Sequence, residues 1–116
     1  AYAALEPETV KDEPADLLLA ADVARLSGHP QKAVPYLRKV VTKYPGDQRA
    51  AAAAFTLGRV LLEDVRTPAE AARAFGRARS LAPSGILAED ALVRQIEALV
   101  AAGDRSTARL LAQRYK

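Results

Sequence analysis

Cysteine and asparagine are absent from this 116-residue chain, histidine occurs once, and aromatic residues make up 5% of it. Without cysteine there is no disulfide and no thiolate metal site, and the redox compartment is left open. With His29 alone, zinc sites of the usual ligand sets lack donors, and His29, in a turn before Pro30, reads as a solvated residue. No apolar run approaches the roughly 18 residues that cross a bilayer, and no basic start leads into an apolar stretch at the N-terminus. Direct membrane insertion by this chain is therefore not expected. There is no glycine-rich phosphate loop; Gly58 and Gly76 read as close helix contacts and the other glycines as turns. Glu63-Asp64 and Glu89-Asp90 are adjacent carboxylates, but sequence neighbours on a helix project in different directions, so they read as surface and cap charges. Neither catalysis nor a metal or other cofactor is expected from such a set.

What the chain does have is alanine. Half of the residues are apolar, and the abundance of small side chains favours closely packed helices over strands. The length suits one domain with a continuous core. The start at Ala1 and the end inside a helical pattern suggest an excised fragment. Net charge is +3, unevenly placed: Glu6, Glu8, Asp12, Glu13 and Asp16 face Lys11 in the first 16 residues, leaving a balance of +7 beyond them. That excess reads either as a solvated Arg-rich surface with a compensating acidic tail or as a patch for an acidic partner.

Residues 1–14, broken by Pro7 and Pro14, read as an irregular acidic lead-in. Six helices follow. The first spans Ala15 to Ser27, with Leu18, Leu19, Ala21, Val23 and Leu26 as its apolar positions and Gly28 as its C-terminal cap. Pro30 opens the second, which runs to about Tyr44 with Ala33, Leu37, Val40 and Val41 on one face. Asp47 caps a third from about Gln48 to Asp64. Thr67-Pro68-Ala69-Glu70 has the pattern of a capping box and starts the fourth, whose Ala71, Ala74, Phe75 and Ala78 point inward as far as about Leu81. The fifth covers about Ile86 to Ala102; the sixth runs from Arg105 with Asp104 or Ser106 as cap. Connections this short make the helices antiparallel neighbours.

Within this pass one pattern recurs at roughly 34 to 40 residues: Gly28, Ala33, Leu37, Val40, Pro45; then Ala71, Phe75, Ala78, Pro83; then Gly103, Ala108, Ala112, Tyr115. On these residues, and on Leu57-Gly58, the chain resembles the tetratricopeptide repeat family. Pro45 lies farther before Leu57 than in the commonest repeats, a lengthening similar to repeats of bacterial envelope proteins such as the Tol-Pal coordinator, outer-membrane assembly lipoproteins and the extension of FecR-type regulators. The resemblance implies a right-handed α-α superhelix of about three hairpins, over residues 15–46, 47–83 and 84–116. It favours the bacterial periplasm, with the cytoplasm as alternative, and a scaffold or signalling role.

The resemblance further implies a partner peptide or domain held on the concave face by Leu18, Asp22 and Arg25, by Phe55, Arg59 and Leu62, and by Val93, Arg94 and Glu97, with Val100 beyond. Against this stands the reading in which Asp22, Arg59 and Glu97 pair with one another across the groove. The carboxylate clamp of the family's chaperone adaptors needs paired asparagines, which this chain lacks. Nucleic acid is a disfavoured alternative: Arg73, Arg77 and Arg79 motivate it, but stacking aromatics are scarce. A third reading is self-association through the last helix, whose Leu110, Leu111 and Tyr115 have no following repeat to cover them.

Overall fold

The computed structural model describes residues 10–115, and every regular element among them is helical. Most of the acidic lead-in lies outside the described residues; of it, Val10 packs on the core. The elements are α1 Pro14–Leu26, a 3-10 turn Pro30–Lys32, α2 Ala33–Lys43, α3 Ala50–Arg59, a π-helical turn Val60–Asp64, α4 Pro68–Leu81, α5 Leu87–Ala101 and α6 Arg105–Arg114.

Local chemistry sets these limits. Prolines stand at the first helical positions of α1, the 3-10 turn and α4, where a missing N–H costs nothing and the fixed φ already suits a helix. Both α1 and α5 stop at a glycine in the left-handed region, Gly28 at φ 82° and Gly103 at φ 85°. Each stop is a Schellman motif. His29 N–H donates to the Ala24 carbonyl (2.9 Å) and Gly28 N–H to Arg25 (3.2 Å); Asp104 N–H donates to Leu99 (2.9 Å) and Gly103 N–H to Val100 (3.0 Å). Asp104 then caps α6, its Oδ1 accepting from the Thr107 N–H at 3.2 Å.

Two expectations about ends give way. The third helix enters at Ala50 rather than Gln48, because Asp47 Oδ1 accepts from the Arg49 N–H (2.8 Å) and holds the preceding residues in a turn. Its last turn then widens: Val65 N–H reaches back to the Val60 carbonyl (2.9 Å), and Arg66 adopts φ 62°. That widening also removes the expected capping box. The Thr67 hydroxyl donates to the Leu61 carbonyl (3.4 Å) instead of capping α4, while Glu70 accepts from Arg38 (3.1 Å).

Each helix packs on its sequence neighbours, and α3 also touches α5. The body measures 45 × 27 × 19 Å, and its short dimension is about two helices thick. The odd-numbered helices form one layer and the even-numbered the other. Arg38 to Glu70 bridges α2 and α4, and Arg79 lies 4.6 Å over the ring of Tyr115 at the end of α6. Between the layers the largest fully buried side chains are Phe75, Leu37 and Val40. Alanines fill much of the rest, which lets helix backbones approach closely. Phe75 lies against Gly58, where a Cβ would stand 2.7 Å from the ring, and meets Phe55 edge-on at 5.4 Å.

The apolar stripes of α2 and α4 are those the spacing suggests; that of α1 is not. α1 buries Leu17, Ala20, Ala21 and Ala24, leaving Leu19 and Leu26 at 56% and 66% exposure. Small residues at this contact allow a close crossing with α2, which larger leucines would prop open. Asp12 fastens the start of α1 to the end of α2, accepting from Lys43 and from the Tyr44 hydroxyl (3.1 Å), whose O–H also reaches the Asp12 carbonyl at 2.6 Å.

Candidate functional site

The odd-numbered layer carries the residues singled out from the sequence. On α1, Asp22 and Arg25 are exposed, while Leu18 is half-buried against the core. On α3, Arg59 is exposed and Phe55 is half-buried on Phe75; Leu62 is half-buried in the π-helical turn. On α5, Val93 and Glu97 are exposed, Val100 follows at 44% exposure, and Arg94 is half-buried. Leu18, Phe55 and Leu62 therefore offer edges of the core rather than free side chains.

The π-helical turn draws this layer together. Asp64, at its end, lines a cavity of about 670 Å³ with Asp22, Arg25 and Leu26 of α1. One residue earlier, Glu63 accepts from Arg94 of α5 at 3.4 Å. On its other side Leu62, Glu63 and Arg66 share a cavity of about 520 Å³ with Ala101. By contrast, no ion pair among the described residues joins Asp22, Arg59 or Glu97 to one another. Their charges face solvent among apolar side chains.

Charge is divided between the layers. Within α2, α4 and α6 the cations are Arg38, Lys39 and Lys43, then Arg73, Arg77 and Arg79, then Arg105, Arg109 and Arg114, against Glu70 as the single carboxylate. The odd layer inverts this: Asp16, Asp22, Glu63, Asp64, Glu89, Asp90 and Glu97 outnumber Arg25, Arg59 and Arg94. A whole-chain charge balance averages this division away; it appears once charge is counted within the observed helix limits and layers.

No polar or charged side chain among the described residues is buried, and no group of three His, Cys, Asp or Glu among them is placed to hold a metal ion. The shifted titrations belong to surface pairs and caps. Lys43, then Tyr44 and Lys39, hold the Asp12 carboxyl below its ordinary value, with burial opposing them. The Arg49 guanidinium, followed by the Arg49 N–H, lowers Asp47 to about 2. The hydrogen bonds to Thr107 lower Asp104.

Residues 3–116 match the model of the family described as chemotaxis protein MotC. No curated protein and no solved structure was found to match the chain. The family match overturns the tetratricopeptide expectation. The residues behind that resemblance have general packing tasks here: Gly28 ends a helix at positive φ, Ala33 and Ala71 let helices approach, and Gly58 makes room for Phe75. Any stack of close helical hairpins needs these, so they do not identify one family.

Proposed function

The chain belongs to the MotC chemotaxis protein family, and from that premise we propose that it serves chemotaxis as a non-catalytic interaction module. It holds a partner peptide or domain on the layer of α1, α3 and α5. In this reading the hairpins α1–α2, α3–α4 and α5–α6 stack in a right-handed superhelix with that layer on its concave side. The direct packing of α3 on α5, where α2 and α4 are bridged by the long side chains of Arg38 and Glu70, supports that curvature. The observation that carries the function is the set Asp22, Arg25, Arg59 and Glu97, exposed, without ion-pair partners among the described residues, beside exposed Val93 and Val100. Unspent charge next to apolar surface is what a partner can pair with and cover. The absence of any buried titratable side chain among the described residues favours recognition over catalysis.

A photo-crosslinking side chain placed at position 93 or 97 tests this in a strain lacking the native protein. The expectation is a discrete crosslinked partner, lost in an Asp22→Arg, Arg59→Glu variant whose helical content is unchanged, together with reduced chemotactic spreading. Equal crosslinking and spreading by that variant would reject the odd layer as the contact face. Phe55 is unsuitable for the test, since truncating it also strips the edge-on contact from Phe75.

A further inference from the structure

We propose that the outward face of α1 is a helix-docking site within the odd layer, and that it takes an amphipathic helix of a partner protein whose apolar residues flank a lysine or arginine. Helix α1 is apolar on two opposite faces. Leu17, Ala20, Ala21 and Ala24 are buried. Ala15, Leu19, Asp22 and Leu26, spaced by four, three and four residues, fall within about 60° of one another on the other side, and all four are exposed. This is the heptad spacing by which one helix seats another, and a helix apolar all round is ordinarily covered all round. The stripe leads into the cavity of about 670 Å³ that Leu26 shares with Asp22, Arg25, Gly28, Pro30 and Asp64. A docked helix finds room there for a side chain beyond Leu26.

Charge selects the occupant. Asp22 lies in the middle of the stripe, and neither it nor Asp64 has an ion-pair partner among the described residues. Arg25 is the third charge on the cavity, so carboxylates outnumber cations there. A second copy is the wrong cover. An antiparallel two-fold pair that sets Leu19 on Leu26 of its mate brings the two Asp22 residues together at its centre, and a parallel pair in register does the same; like charges oppose both. The first ten residues of this chain carry Glu6 and Glu8 and no Lys or Arg, so they too add like charge. An anionic bilayer meets the carboxylate excess of the odd layer. A lysine or arginine between two apolar positions of a foreign helix pairs with Asp22 while its neighbours cover Leu19 and Leu26. This site rests on the reading of the odd layer as the contact face and adds the class of partner that face holds.

The probe is a fluorescent amphipathic peptide helix with leucines at heptad spacing and one lysine between them, set against the same peptide with glutamate in that place and against phosphatidylglycerol vesicles. Binding is followed with the intact chain, with Asp22→Lys, and with the double variant Leu19→Ser, Leu26→Ser; circular dichroism checks the folds. We expect the intact chain to prefer the lysine peptide about fivefold or more and Asp22→Lys to reverse that preference. The double variant should lose about tenfold or more in affinity for the lysine peptide. No binding of that peptide, an unchanged preference in Asp22→Lys, or unchanged affinity in the double variant overturns the proposal. So does binding of vesicles in place of the peptide, or a dimer in sedimentation that the double variant abolishes, which gives the face to a second copy. In cells the double variant is combined with the crosslinker at position 97, and the crosslinked partner should be lost. A crosslink that persists keeps the odd layer as the contact face and overturns the α1 site alone, whereas no crosslink even with α1 intact rejects the odd layer and this site with it.

Discussion

Two helical glycines look alike in the sequence and differ in what surrounds them. A Cβ on Gly58 would stand 2.7–2.8 Å from three atoms of the Phe75 ring, and Phe75 is fully buried. Alanine is favoured over glycine in a helix by about 1 kcal/mol, but overpacking a fixed ring costs about 1–3 kcal/mol. Gly58→Ala should therefore destabilise, by up to about 2 kcal/mol in urea unfolding. At Gly76 the Cβ would meet the end of the Gln95 side chain at 2.8 Å, which can swing aside. It would give up its hydrogen bond from Arg79 (2.7 Å), so Gly76→Ala should be close to neutral. Opposite ranking of the two would sink the argument. Among the charges, Asp47 titrates at about 2 because Arg49 holds its carboxylate. A depressed acid stabilises fully above its ordinary value of 3.8 and loses that contribution as pH falls from there towards 2. NMR titration should find this low midpoint, and Arg49→Ala should return it towards the ordinary value.

At the scale of elements the least regular piece is the turn after α3. Its π-helical geometry leaves Arg66 at φ 62°, a conformation costing about 1–2 kcal/mol in a residue with a Cβ. Glycine gives back part of that gain as chain entropy in the unfolded state. Arg66→Gly should raise stability by about 0.5–1 kcal/mol, read as a shift in the urea midpoint at unchanged slope; a loss of stability would show that the Arg66 side chain holds the turn. This turn was not legible in the sequence. Apolar Val60, Leu61 and Leu62 continue the pattern of α3 without any proline or glycine to mark a change. The stripes of α2 and α4 were legible, since Leu37, Val40 and Val41, and Ala71, Ala74, Phe75 and Ala78, recur at helical spacing. In α1 the run Leu17-Leu18-Leu19 has no period of its own, and which leucine turns inward was set by the fit of Ala20, Ala21 and Ala24.

The whole molecule is a linear arrangement in which helices touch mainly their neighbours along the chain. Its helical class and its sequence of turns could be read from alanine content, proline and glycine positions. The grouping of cations in one layer could not, because it needs helix limits and a knowledge of which helices lie side by side. The site residues Phe55 and Leu62 show the same limit: their chemistry suited a binding face, while their burial came from tertiary contacts. Linear contact also makes position within the stack decide the consequence of damage. Phe75 is fully buried near the middle and packs on Gly58 and Phe55. Phe75→Ala should cost about 3–5 kcal/mol, a large share of the roughly 5–15 kcal/mol typical of a small domain, and should lower amide protection in α3, α4 and α5 together. At the far end α6 buries Ala108 alone. Ala108→Gly removes about 1 kcal/mol of helix propensity where α5 supplies most of the packing. Its hydrogen exchange should quicken within α6 while α3 and α4 keep their protection. If Ala108→Gly instead speeds exchange throughout the chain, the stack unfolds as one unit, and the neighbour-by-neighbour account of its stability fails.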